Sequence, residues 1–114
     1  FGGNPLIAAA SHATLKEVLS SGLMNEISKK EQLFRELLVH PKIKKINGKG
    51  LMLAVDLGSP DYTLKVAKDC MGKGLIVFWQ LYRNEYLRIS PPLTISEEEI
   101  REGCRILLDV LNFD

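Results

Sequence analysis

The stretch Leu87-Arg88-Ile89-Ser90-Pro91-Pro92-Leu93-Thr94-Ile95-Ser96-Glu97-Glu98-Glu99-Ile100 decides how this chain is read. One arginine is set in an apolar, strand-like run. Two adjacent prolines follow, which fix φ and remove two backbone donors, so the strand stops at Ser90 and leaves in an extended form. Ser96 with Glu99 three residues on has the spacing of a capping box and opens a helix. A strand that ends in so stiff an exit is a good mount for one charged side chain, Arg88.

Working outward from this segment, the final helix is expected over residues 97–111, with Ile100, Cys104, Leu107, Leu108 and Leu111 inside. Its Glu97, Glu98 and Glu99 suit the positive end of the helix dipole and need no catalytic role. Upstream, strands are expected over 86–89 and 75–79, joined by a connection around Asn84. Ser59-Pro60 opens a helix over 60–71 that Gly72-Lys73-Gly74 stops. A short strand beginning at Ile43, a glycine-containing turn and a longer strand, Leu51 to Leu57, precede it. The apolar residues of that strand alternate with Met52, Ala54 and Asp56, so it is expected to be covered on much of both faces. A helix over 24–40 ends at Pro41. Its Leu23, Ile27, Phe34, Leu37 and Leu38 face inward, and Lys29, Lys30, Glu31, Arg35 and Glu36 mostly outward. Asn4 and Pro5 start the first helix, rich in small residues, which Ser20-Ser21-Gly22 breaks. The order α, α, β, β, α, β, β, α predicts an α+β domain with a small, mostly antiparallel sheet and helices packed on it. Residues 1–22 are expected to be a linking or interface helix and residues 23–114 the α+β domain.

The chain has 114 residues, 46% hydrophobic and 25% charged, which suits one domain with a modest core. A net charge of +1 does not point to nucleic acid. No apolar run approaches the roughly 20 residues that cross a bilayer. Cys70 and Cys104 read as buried free thiols, which suits the reducing cytoplasm. His12 and His40 lie far apart, and no metal-ligand spacing joins them. No Gly-x-Ser-x-Gly elbow occurs. Lys44, Lys45 and Lys49 read as solvated, and Gly48 with Gly50 lacks the spacing of a phosphate loop. Phe78, Trp79 and Tyr82 could wall a pocket, but strand aromatics more often belong to a core. No catalytic set assembles. Arg88 remains, either as a plain edge-strand arginine or as a fork for a substrate carboxylate.

Several segments together resemble a known family. Phe1-Gly2-Gly3-Asn4-Pro5-Leu6 before an alanine-rich helix, Gly48-Lys49-Gly50-Leu51-Met52, Gly74-Leu75-Ile76-Val77, and Leu87 to Ile95 before an acidic helix start occur in the order seen in class-III aminotransferases. These are fold-type-I enzymes using pyridoxal 5′-phosphate, such as the acetylornithine, ornithine and 4-aminobutyrate aminotransferases. The resemblance covers nearly the whole chain and implies the C-terminal small domain of a longer, homodimeric enzyme. It implies that Arg88 binds a substrate carboxylate, that Phe1, Gly2 and Gly3 lie near the cofactor phosphate of the neighbouring subunit, and that Gly48, Gly50, Pro91 and Pro92 shape the backbone. The Schiff-base lysine, the aspartate on the pyridine nitrogen and most of the phosphate cradle are expected in a large domain upstream. The implied reaction moves an amino group from an amino acid or amine to a 2-oxo acid such as 2-oxoglutarate, and this segment alone is not expected to turn over. Phe78-Trp79-Gln80-Leu81-Tyr82 departs from the pattern usual in the acetylornithine enzymes and suggests a bulkier, more apolar wall. A non-catalytic binding or dimerisation module, and an aminomutase or decarboxylase on the same scaffold, are the alternatives.

Overall fold

A computed structural model describes residues 2–113. In chain order the elements are α1 (Pro5–Ser20), α2 (Leu23–Leu37), β1 (Lys45–Lys49), β2 (Met52–Asp56), α3 (Pro60–Gly72), β3 (Phe78–Trp79), β4 (Tyr86–Ile89) and α4 (Glu97–Asn112). The strands form one antiparallel sheet in the order β1-β2-β4-β3. The fold is α+β, with α2, α3 and α4 packed together over one face of this sheet.

Alternation along the strands decides that face. Leu53 and Val55 of β2 point inward with Leu87 of β4, and all three are buried. They meet Phe34 and Leu38 from the α2 end, Val66 and Cys70 from α3, and Ile100, Leu107 and Leu111 from α4. The opposite face carries Asn47, Met52, Ala54, Arg88 and Phe78, together with Tyr86, which is buried there under Lys45 and Arg83. Among the described residues no helix covers it, and Met52 is 79% exposed. The expectation that β2 is covered on both faces is therefore corrected: within this chain it is buried on one.

The hairpin between β1 and β2 turns through Gly50 and Leu51, with Lys49 paired to Met52. Gly50 has φ +60°, which fits a glycine at the first central position of a two-residue hairpin turn. Gly48 has φ +110°, and a Cβ there would lie 2.0 Å from the Met52 carbonyl oxygen, so no other residue fits without moving the strand.

Helix ends follow their caps. Asn4 Oδ1 accepts from the Leu6 and Ile7 N–H groups. Ser59 Oγ accepts from Tyr62 N–H. Ser96 and Glu99 form the complete capping box: Glu99 N–H donates to Ser96 Oγ at 3.2 Å and Ser96 N–H to Glu99 Oε2 at 2.8 Å. That carboxyl is held below its ordinary value by the Ser96 N–H and then by its hydroxyl. Cys70 and Cys104 are buried free thiols, pushed up chiefly by burial to about 11 and about 12 respectively.

Three local expectations are corrected. α2 ends at Leu37, not near His40, because Leu38 leaves helical angles (ψ 60°) and turns its side chain into the core. The strand expected over 75–79 is only Phe78–Trp79, since Leu75 N–H donates back to the Cys70 carbonyl at the end of α3 and Ile76 is exposed. Lys30, expected outside, is 6% exposed, because it shares the stripe of Ile27, Leu33 and Phe34. α1 forms as expected but buries none of its residues.

Candidate functional site

Arg88 is the third residue of β4, a central strand. Its register neighbours are Ala54 on β2 and Phe78 on β3, and Ala54 is in turn opposite Asn47 on β1. The four side chains form a row across the uncovered face. The guanidinium lies 5.9 Å from the centroid of the Phe78 ring. The Phe78 and Trp79 rings meet edge to face at 6.4 Å. Arg88 is exposed, and among the described residues no carboxylate pairs with it, whereas Arg35, Arg83 and Arg105 each hold an acidic partner.

The mount beneath Arg88 is stiff. Two neighbouring strands flank β4. Beyond Ser90 the Pro91-Pro92 exit closes in a turn, with Ile95 N–H donating to the Pro92 carbonyl at 3.1 Å. The next carbonyl, Leu93, accepts from Lys30 Nζ at 2.8 Å, and the same ammonium lies 3.3 Å from Glu26. Lys30 thus ties the exit of β4 to α2, 63 residues earlier in the chain.

A second tie fixes the sheet's far edge. Arg35 donates from Nη1 to the Ile46 carbonyl and from Nη2 to the Gly48 carbonyl, each at 2.9 Å. Its partner Glu31 accepts from Gly50 N–H, and this backbone donor, then Arg35, holds the Glu31 carboxyl below its ordinary range. Neither tie is legible in the sequence, although Lys30 falls on the stripe of Ile27 and Phe34 at helical spacing. Where β4 meets α4, a groove of about 270 Å³ has Phe34, Val77, Phe78 and Leu107 in its wall, with Arg88 and Glu99 as its charged lining residues.

The other expected site residues are placed differently. Gly2 and Gly3 are exposed before α1, with nothing within 4 Å of a Cβ at either, and neither lines the groove. Phe1 lies outside the described residues. Phe78, Trp79 and Tyr82 are not core: they are 45%, 40% and 93% exposed, because β3 is a two-residue edge strand. Tyr82 takes no part in the groove. His12 is exposed, and His40 Nε2 lies 3.1 Å from Asn112 Oδ1. Among the described residues no group of three His, Cys, Asp or Glu side chains could hold a metal ion. The described residues do not fit a whole pyridoxal phosphate either. The one buried lysine among them, Lys30, is tied to a carbonyl, and the N-terminal glycines form no enclosed cradle. What the arrangement can do is hold a carboxylate: an exposed guanidinium fork on a stiff strand, with no hydrogen-bond partner among the described residues.

Comparison with known proteins bears on this geometry. The profile of the family described as aminotransferase class-III matches residues 1–111. The chain is 41% identical over 117 aligned positions to the acetylornithine aminotransferase of Caldanaerobacter subterraneus subsp. tengcongensis, covering 98% of this chain and 29% of that protein. It is 34% identical to the mitochondrial ornithine aminotransferase of Oryza sativa subsp. japonica, covering all of this chain and 26% of that one. Among solved structures, the acetylornithine aminotransferase of Elizabethkingia anophelis superposes with a TM-score of 0.88 at 28% identity, over 100% of this chain and 31% of that one. The chain thus spans less than a third of the length of these relatives.

Proposed function

This chain belongs to the class-III aminotransferase family, and from that premise we propose that it is the C-terminal small domain of a pyridoxal-phosphate-dependent aminotransferase. In this reading residues 1–22 link to, or lie against, a large cofactor-binding domain, and residues 23–114 carry the substrate-facing sheet. The whole enzyme is a cytoplasmic homodimer that moves an amino group from an amino acid or amine to a 2-oxo acid such as 2-oxoglutarate. Relatives named for acetylornithine, ornithine and 4-aminobutyrate support that class of donor. The cytoplasmic assignment rests on the buried free thiols.

One observation carries the role of this segment. Arg88 is an exposed guanidinium without a carboxylate partner among the described residues, fixed on a central strand of the uncovered face. A carboxylate bound there in two parallel charge-assisted hydrogen bonds is oriented as well as held, and orientation is what brings a reacting carbon to a fixed point. The described residues do not hold the cofactor by themselves, so the segment contributes substrate positioning and not the electron sink. Gly2 and Gly3, with Phe1, are assigned to the neighbourhood of the partner subunit's cofactor phosphate.

The test uses the full-length protein loaded with pyridoxal phosphate. Acetylornithine, ornithine, lysine, 4-aminobutyrate and glutamate are offered singly, and the cofactor absorbance is followed. Bleaching by one donor, reversed by 2-oxoglutarate, is the expected result and names the donor. A cofactor band that no donor bleaches overturns the aminotransferase reading. Arg88→Lys keeps the charge and loses the fork, and KM for carboxylate substrates is expected to rise about tenfold or more. Unchanged specificity constants for donor and acceptor would remove Arg88 from the role.

A further inference from the structure

We propose that Phe78 is the positioning and selecting residue of the carboxylate site: its ring backs the Arg88 guanidinium on one flank, and the small Ala54 leaves the other flank open for the ligand. The inference rests on Arg88 being a carboxylate fork and adds what sets its aim and its preference.

The register fixes the arrangement. Phe78, Arg88 and Ala54 are consecutive members of one cross-strand row. Side chains directly opposite in antiparallel strands are in contact range, so the ring and the guanidinium are neighbours by backbone geometry. They stand 5.9 Å apart, within reach of a cation–π attraction. On the other side Ala54 offers a single methyl group. An arginine side chain beside one ring and one methyl is drawn toward the ring and leaves an approach over the alanine. The ring itself is held edge to face by Trp79 and is 45% exposed, so it also presents an apolar surface to whatever binds the fork.

Two consequences follow for the ligand. The site is expected to prefer a carboxylate that carries an apolar segment within reach of the Phe78 ring. It is also expected to discriminate an acid from its neutral amide through Arg88, the one cation of the Asn47–Ala54–Arg88–Phe78 row, while Lys45 and Arg83 on the same face are engaged over the Tyr86 ring.

Pentanoate, one carboxylate on an apolar tail, and pentanamide, its neutral counterpart, are the probes. Their dissociation constants are measured by calorimetry on the full-length holoenzyme and its variants. Tighter binding of pentanoate than of pentanamide is expected in the unaltered protein. Phe78→Ala is expected to weaken pentanoate on the order of threefold to tenfold, because the fork must then be oriented at the moment of binding, and pentanamide by less. Phe78→Trp restores the preference, and Phe78→Leu, which keeps apolar bulk without the π face, does not. Equal weakening of acid and amide by Phe78→Ala, or full retention of the preference in Phe78→Leu, overturns the proposal while leaving the fork intact. Arg88→Gln serves as the separate control. If it leaves pentanoate binding unchanged, the fork itself fails, and the role of Phe78 with it.

Discussion

At the residue scale, two kinds of side chain do different work: those that fix backbone and those left free. Gly48 belongs to the first. Its φ is +110°, and the Met52 carbonyl oxygen stands 2.0 Å from where a Cβ would be, which leaves no room for a methyl group. Gly48→Ala is expected to destabilise the domain by about 2–3 kcal/mol, read from the midpoint of urea unfolding. A midpoint unchanged from the parent would show that the hairpin relaxes around the methyl. Glu31 gives a pH signature. Its carboxyl is held below the ordinary 4.5, first by the Gly50 N–H and then by Arg35. A group whose folded value is depressed contributes stability that is fully present above the unfolded value and lost as pH falls through the folded one. Glu31→Gln is therefore expected to flatten the loss of stability below about pH 4.5 while leaving its direction above that range unaltered. An unchanged acid limb would mean that the hairpin contact is absent in solution. Arg88 belongs to the second kind. Its placement in an apolar run is legible in the sequence, and so is the rigid exit. Phe78 stands out only as a possible pocket wall, and its pairing with Arg88 is not legible, because aromatics in a short apolar run do not reveal whether their strand is central or at an edge.

At the element scale, the exit from β4 is where local chemistry and tertiary ties meet. The capping box of α4 is legible, since both partners lie three residues apart and cap without help from elsewhere. Ser96→Ala is expected to cost about 1 kcal/mol, the ordinary loss for a capping hydroxyl. The tie from Lys30 is not legible as a partner choice, because Leu93 is 63 residues away and carbonyls carry no sequence mark. Lys30→Met keeps the length of the stem and removes the donor to Leu93. It is expected to destabilise by about 1–3 kcal/mol, since a half-buried carbonyl loses its partner. Hydrogen exchange locates the effect: faster exchange is expected at Ile95, whose N–H closes the turn on the Pro92 carbonyl. Equal acceleration across α3 instead would show a global loss and no local tie. The shortened β3 has a similar explanation. Composition favours a strand over 75–79, but the end of α3 captures Leu75 through the Cys70 carbonyl before pairing can begin.

At the scale of the whole molecule, the α+β architecture follows from the order of elements, while the unequal covering of the two sheet faces depends on where three helices pack. The same unevenness governs α1. Leu6, Ile7, Leu15 and Leu19 are 80%, 51%, 57% and 74% exposed, and no residue of the helix is buried. An isolated helix of this length is marginal in water even with a good N-cap, because tertiary packing normally supplies most of its stability. The exposed apolar side chains of α1, with Met52 and Phe78 on the open sheet face, then favour association with other protein surfaces. The 114-residue chain by itself is expected to self-associate in sedimentation velocity as concentration rises. Leu6→Glu with Leu19→Glu is expected to reduce that association without lowering the thermal midpoint, since neither leucine contributes to the core. Amide exchange in α1 is expected to be much faster than in α4, whose Ile100, Leu107 and Leu111 are buried. A concentration-independent monomer with a strongly protected α1 would contradict this picture and favour a self-sufficient module. Association that disappears with the two glutamates while the core keeps its midpoint would instead identify α1 as the face that a larger assembly covers.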